Sequence, residues 1–142
     1  MSSSKFAGLA LEVETPQRMI VVHPVTRQPL RDGDGKEAYV DLYSGDSEAA
    51  ARHERTVLQR QLAARVRGAP SADEVEADAI DLLSALTVGW YLVDPWGNPV
   101  GLDFTPEAAR ELYALRAAKW LREQVDQYIG NRANFFKASP KT

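Results

Sequence analysis

Side chains suited to general acid–base or nucleophilic chemistry are scarce in this sequence. It contains two histidines, His23 and His53, and no cysteine. His23 stands before Pro24 at the end of a predicted strand, and His53 falls among charged residues of a predicted helix. A lone histidine in such a setting is more often a bystander than a general base. No Ser–His–Asp arrangement follows from the spacing, and a thiol nucleophile is excluded. The sequence therefore predicts that the protein is not an enzyme.

The carboxylates give little support for a metal or cofactor site. Residues 32–35 read Asp-Gly-Asp-Gly, which is similar to the start of a calcium loop. A complete loop needs further oxygen ligands and a closing glutamate at fixed spacing, which Glu37 and Asp41 do not supply. The acidic residues in 73–78 fall in the first turns of a predicted helix, where the helix dipole favours negative charge. We predict an ordinary acidic turn, no metal and no cofactor.

Aromatic and arginine side chains indicate binding rather than catalysis. Trp96 lies in a loop rich in proline and glycine, where burial is difficult. Phe135 and Phe136 are adjacent, so both cannot face one core from a single helix. Exposed aromatic residues and arginines are typical of protein interfaces. The predicted partner contacts are Trp96, Phe135, Phe136 and the arginine face of the first helix, Arg52, Arg55 and Arg60.

Composition predicts one soluble intracellular domain. The chain has 142 residues, of which 44% are hydrophobic and 26% charged, as in average globular proteins. No secretory signal or membrane-length apolar run is expected. The net charge of −3 argues against nucleic acid as the main partner. Residues 71–103 hold seven acidic and no basic residues, between two basic segments. This pattern predicts internally paired helices or a self-association surface, although solvated helix faces explain most such charges.

The first 45 residues are predicted to be β-rich. Residues 19–22 form a short β-branched run between Pro16 and Pro24, and residues 38–43 form a second strand after the turn at 32–35. An additional strand is expected over residues 9–13. These strands make a small hairpin or meander, which must pack against other elements to be stable.

The next segment, residues 46–136, is predicted to form about four helices. The first begins at Asp46 or Ser47 and runs to about residue 67, and the second runs from a Ser71/Glu74 capping box to residue 88 or 89. A loop over residues 94–103 follows. The third helix starts with Thr105 as its cap and proline at its first position. The last covers about 117–131, and a break near residue 116 is left open.

The predicted fold is a single α+β domain over residues 1–142. It has a small N-terminal β-hairpin or meander over residues 1–45 and a bundle of about four helices over 46–136. Residues 137–142 are predicted to be a frayed tail. Tryptophan is usually well buried, and apolar residues at helical spacing mark the core-facing side of a helix. The predicted supports of the core are Leu86, Trp90 and Trp120.

Several short motifs occur in an order that resembles a known family. His23-Pro24-Val25-Thr26 stands near the N-terminus, and Asp46-Ser47 precedes the basic helix. The later motifs are Gly89-Trp90, Phe104-Thr105-Pro106, Trp120-Leu121-Arg122-Glu123-Gln124 and Asn134-Phe135. With this order over most of residues 20–136, the chain resembles the phage tail assembly chaperone family of Siphoviridae-like phages. It departs from the family pattern at Asp94-Pro95-Trp96, where a plainer turn is usual, and at Arg27, where glycine is usual.

The resemblance implies a non-catalytic helper in tail assembly. Such proteins coat the long, helical, aggregation-prone tape measure protein and give way as tail tube subunits polymerise around it. The implied partners are the tape measure protein, the tail tube protein and further copies of the chain, with no nucleic acid and no membrane. The implied location is the host cytoplasm and not the mature virion. Two alternatives stay open: a structural tail component of the virion, and a small phage-encoded module that binds a host protein.

Overall fold

The computed structural model describes residues 5–64, 68 and 71–136. Within these residues the chain forms a three-stranded antiparallel sheet and four α-helices, which confirms the predicted α+β class. Short 3-10 turns cover Ala7–Leu9, Arg116–Ala118 and Arg132–Asn134. The elements in chain order are β1 (Gln17–Ile20), β2 (Tyr39–Leu42), α1 (Glu48–Ala63), α2 (Ala72–Leu86), β3 (Thr87–Tyr91), α3 (Pro106–Ala114) and α4 (Lys119–Gly130).

The sheet has β2 at its centre, antiparallel to both neighbours. Met19 of β1 and Trp90 of β3 both lie opposite Val40 of β2, and all three side chains are buried. The opposite face is polar and aromatic. On it, Arg18 forms an ion pair of 2.8 Å with Asp41. The alternation of buried and exposed side chains places the core on one face of the sheet.

Two sequence predictions for these elements are wrong. The second helix was predicted to run to residue 88 or 89, but α2 ends at Leu86, and Thr87 begins β3 with extended dihedrals. Pairing with β2 overrides the local helical pattern, so the helical part of the chain also contributes a strand. The strand predicted over residues 9–13 is absent, because the Glu12 carboxylate instead accepts hydrogen bonds from Glu14 N and Thr15 N in a turn.

The predicted helix starts are confirmed. The Ser47 side chain accepts a hydrogen bond from Ala50 N at α1, and Ser71 and Glu74 form the capping box of α2. Thr105 caps α3, with proline at the first helical position. The break near residue 116 is present, because Leu115 leaves the helix with ψ 113°. α1 ends at Ala63, and residues 65–67 and the tail at 137–142 lie outside the described residues.

The core lies between the inner face of the sheet and helices α2, α3 and α4. Tyr113 of α3 and Val125 of α4 are almost completely buried there. Of the residues predicted to support the core, Leu86 and Trp90 are buried, and Trp120 is half-buried against it. No helix among the described residues has both the length and the apolar character needed to cross a membrane.

Candidate partner-binding groove

An open apolar groove of about 450 Å³ is lined mainly by residues 90–121, with Val21 contributed by the N-terminal part of the chain. Its walls are the loop that follows β3, the outer side of α3 and the start of α4. Apolar grooves with a few charged groups at the border are typical binding sites. The side chains that line it include Leu92, Val100, Leu102, Leu112, Leu115 and Trp120.

The loop wall is a tight fold-back of the chain held by its own hydrogen bonds. Val100 N donates to Leu92 O at 3.0 Å, and Asp94 N donates to Asn98 O at 2.9 Å. The Asp94 carboxylate accepts from the amides of Trp96 and Asn98, which closes the turn. The turn needs a glycine at position 97, where φ is +90°. Asp94 therefore fixes the loop that carries Trp96.

Trp90 joins the loop wall to the core. Its indole Nε1 donates to the main-chain oxygen of Leu102 at 2.8 Å. Its ring meets Phe104 edge to face, with 5.2 Å between centroids. Because the hydrogen bond uses the main chain of Leu102, the Leu102 side chain is free to project into the groove. Trp90 thus acts as a buried support of the groove as well as of the core.

Exposed apolar side chains surround the groove. Val100, Leu102 and Leu115 line it and are 49%, 53% and 55% exposed, and Trp96 at the tip of the loop is 84% exposed. Single exposed apolar residues are common, but several around one concave surface indicate an interaction site. None of the predicted contacts lines the groove itself, and Trp96 directly follows Pro95, which does.

A second depression, of about 430 Å³, adjoins the groove across Leu115, which lines both. It is basic, being lined by Arg116, Lys119 and Arg122 together with Glu76. Neither Arg116 nor Lys119 forms a salt bridge within the described part of the chain. α4 begins at Lys119 without a side-chain cap and without an acidic residue in its first turn. The positive end of the helix dipole adds to these cations. We call this region the basic depression.

Arg122 is the member of the basic depression that is already paired. Its guanidinium makes two hydrogen bonds to Glu76, of 2.6 and 3.1 Å. This hydrogen-bonded pair lowers the pKa of the Glu76 carboxyl below its ordinary value. The pair leaves the positive charge of the depression mainly with Arg116 and Lys119.

The acidic helix α2 is surrounded by arginines from the other helices. Besides the Arg122–Glu76 pair, Arg110 of α3 lies 3.3 Å from Asp81. Arg60 of α1 lies 2.8 Å from the Asp78 Oδ1 atom, as an ion pair without a directed hydrogen bond. The segment charges seen in the sequence are thus partly paired inside the chain. Exposed pairs of this kind stabilise a fold only weakly.

This pairing changes the interpretation of the arginine face on α1. Arg60 is held by Asp78, and Arg55 is held by Glu48 at 2.7 Å. Arg52 is exposed and forms no salt bridge within residues 5–64, 68 and 71–136. Two of the three arginines predicted to contact a partner are therefore engaged within the chain, and none lines the groove.

The adjacent phenylalanines occupy different environments. Phe135 is buried, with its ring edge to face on Tyr128 at 5.4 Å between centroids. Phe136 is 63% exposed. The short 3-10 turn before them directs the two rings apart, so they do not share one core. Phe135 is thus a packing residue rather than a presented contact, whereas Phe136 stays available to a partner.

Two of the groups considered for catalysis and metal binding, His23 and Asp32, stabilise local turns. His23 Nδ1 accepts from the amides of Val25 and Thr26, which closes a turn. The Asp32 carboxylate accepts from Tyr91 Oη and from two turn amides, and the Tyr91 hydrogen bond is the main reason that the pKa of Asp32 is lowered. Within the described residues, no group of three or more potential ligands is arranged to hold a metal ion.

Sequence reasoning missed the groove itself. Its lining runs from Val21 to Leu121, so no local pattern shows it. Two features of the sequence could have indicated it. Apolar residues stand at positions 100 and 102 of a loop rich in proline and glycine, and the apolar Leu115 stands at a helix break.

Comparisons of the chain with protein-family models, curated proteins and solved structures found no match.

Proposed function

We propose that this protein is a phage tail assembly chaperone that binds the tape measure protein without catalysing a reaction. The observation that carries the proposal is the open apolar groove with Val100, Leu102 and Leu115 exposed along it. A groove of this kind accepts the apolar face of a helix, which is one of the common modes of peptide recognition. The order of motifs that resembles the chaperone family supplies the identity of the client.

The size and charge of the groove suit a contact that must later be released. A small apolar area with a charged border gives weaker binding than the large apolar interface of a permanent complex. Asp94 and Glu111 supply charge on the groove itself, and the basic depression supplies it beyond Leu115. A helper that gives way to tail tube subunits needs such reversible contacts.

The proposal includes contact with the tail tube protein and between copies of the chain. Leu58 and Leu62 on α1 are 55% and 54% exposed, and Leu58 lies one helical turn after Arg55. This apolar strip with basic neighbours is a second surface, separate from the groove, through which copies of the chain would associate. The complex would form in the host cytoplasm and would not persist in the mature virion.

Co-expression with the tape measure protein of the same genome tests the proposal. We expect the two proteins to co-purify and the tape measure protein to stay soluble. The double variant Leu102→Ser/Leu115→Ser should lose the client, because both side chains line the groove. The control Leu9→Ser/Val25→Ser removes two side chains that are 79% and 80% exposed elsewhere, and it should retain the client. An insoluble tape measure protein beside a free chain would refute the proposal.

Mass spectrometry of purified particles separates the chaperone from a structural tail component. Peptides of this chain should be absent or far below the amount of the tail tube protein. Peptides in stoichiometric amount would show that the chain stays in the virion, and the groove would then bind a permanent neighbour.

A further inference from the structure

We propose that the groove receives an amphipathic helix whose apolar face is bordered on one side by acidic residues. This inference rests on the proposed function, because it names the chemistry of the client segment. It is carried by the joint placement of the apolar groove and the basic depression, which share Leu115.

A helix fits the groove better than an extended peptide. An added strand needs unpaired main-chain groups on the receiving protein. The groove wall instead uses its main chain internally, in the bonds between Val100 N and Leu92 O, between Asp94 N and Asn98 O, and between Gly97 N and Asp94 O. The oxygen of Leu102 is taken by the Trp90 indole. A helix satisfies its own main-chain groups and presents side chains only.

The positive charge of the basic depression favours acidic residues on the neighbouring flank of the bound helix. A helix that places an apolar residue on Leu115 brings its neighbouring side chains over the basic depression. Arg116 and Lys119 are exposed there and have no salt bridge within the described residues, and Lys119 has a weaker electrostatic interaction with Glu76. An incoming carboxylate can therefore pair with them without breaking a salt bridge. Complementary charges of this kind act mainly on specificity and association rate.

The groove lining itself carries negative charge. Asp94 and Glu111 line the groove directly and are acidic. Acidic residues of a bound helix are therefore favoured only on the flank over the basic depression, because elsewhere along the groove they would meet like charges.

Two synthetic helical peptides test this inference with the purified full-length chain. They share the same leucine stripe and differ only in one flank, which carries glutamates in the first peptide and lysines in the second. We expect the glutamate peptide to bind about tenfold more tightly than the lysine peptide, because its glutamates can form two exposed ion pairs with Arg116 and Lys119. The preference should shrink as salt rises, because exposed charges are screened.

Charge-reversal variants make the test specific. Arg116→Glu/Lys119→Glu should reverse the preference between the two peptides. The control Lys5→Glu/Arg27→Glu changes the net charge equally, at two exposed positions that line neither the groove nor the basic depression, and should keep the preference. Circular dichroism of each variant checks that the fold is retained.

The outcomes separate this inference from the proposed function. Equal binding of both peptides, or a lysine preference, would overturn the charge assignment while leaving a client site in the groove. Failure of both peptides to bind, while the tape measure protein still co-purifies, would overturn the inference alone. Loss of the tape measure protein from wild-type co-purification would overturn the proposed function, whatever the peptides do.

Discussion

The side-chain amide of Gln124 forms two hydrogen bonds with the main chain of Val22, which lies 102 positions earlier. Gln124 Oε1 accepts from Val22 N at 3.0 Å, and Gln124 Nε2 donates to Val22 O at 2.8 Å. One side chain of α4 therefore provides the donor and the acceptor that a neighbouring strand would provide. This contact attaches α4 to the N-terminal β-rich part and fixes one wall of the groove.

Replacement of Gln124 by alanine should destabilise the protein markedly. Both polar groups of Val22 would lose their partner in a partly buried site, which costs about 1–3 kcal/mol in the free energy of unfolding. Gln127→Ala, at an exposed position of the same helix, should change it by less than about 0.5 kcal/mol. Urea denaturation of both variants gives the two values. A similar small effect for both would show that the amide contact is not stabilising.

Tyr113 should make the fold sensitive to alkali. Burial raises the pKa of its phenol from 10.0 to about 12, because the charged phenolate is disfavoured in the core. The unfolded chain loses this proton first, so stability is full below pH 10 and falls as pH rises towards about 12. The loss amounts to about 3 kcal/mol.

The Tyr113→Phe variant tests that expectation through denaturation at a series of pH values. It should be less stable by about 1 kcal/mol at neutral pH, because the hydroxyl pairs with Thr87 Oγ1 at 2.8 Å. Its stability should then decline less than that of the wild type above pH 10. Tyr43→Phe, which leaves Tyr113 in place, should keep the wild-type decline. Parallel curves for wild type and Tyr113→Phe would contradict the assignment.

Arg27 occupies a backbone conformation that favours glycine. Its φ of +62° is in the left-handed region, in the turn where Arg27 N donates to His23 O. A side chain at such a φ costs about 1–2 kcal/mol, which glycine avoids at a smaller entropic cost. We expect Arg27→Gly to raise the melting temperature, with a gain of about 0.5–1 kcal/mol. Arg27→Ala keeps the Cβ atom and should give no gain, so a gain for both would exclude strain as the cause.

Glu76→Gln should weaken the fold while strengthening client binding. The pKa of Glu76 is lowered by its hydrogen bonds with Arg122, so its contribution to stability is present above the unfolded value of 4.5 and is lost as pH falls through the lower folded value. The stability difference between wild type and variant should therefore be small, greatest at neutral pH, and should vanish in acid. The freed Arg122 adds positive charge to the basic depression, so the acidic peptide should bind about threefold more tightly. Weaker binding would contradict this.

Trp96 should matter for the client and not for the fold. With 84% of its surface exposed, Trp96→Ala should leave the free energy of unfolding unchanged within about 0.5 kcal/mol. Loss of a large aromatic contact should weaken client binding by more than about 1 kcal/mol. Val25→Ala, at a position that is 80% exposed and not part of the groove lining, is the matched control. Equal client binding by both variants would remove Trp96 from the contact surface.

The sequence predicted the elements whose signals are local. Three helix starts could be predicted from their N-cap residues, Ser47, Ser71 and Thr105. The side chain of each accepts a hydrogen bond from a main-chain amide in the first turn of its helix. β3 was not predicted, because Leu86 and Trp90 continue the helical spacing of α2. The decision between helix and strand there depends on pairing with β2, which lies far away in the sequence.

The candidate site was only partly predictable for the same reason. Exposure of Trp96 follows from its proline- and glycine-rich loop, and the divergence of Phe135 and Phe136 follows from their adjacency. Which of the two phenylalanines is buried depends on Tyr128, and the engagement of Arg55 and Arg60 depends on carboxylates placed by the fold. Such contacts are tertiary, and composition does not determine them.

The span of the groove lining, from Val21 to Leu121, has a consequence for synthesis on the ribosome. The central strand β2 cannot pair with β3 until α1 and α2, which lie between them in the chain, have emerged from the ribosome. The last wall of the groove forms only when α4 has emerged. Contacts so distant in sequence form late, because long loops must close first. A nascent chain therefore has no complete groove until translation has passed residue 121, so a client that binds this groove would not be captured before then.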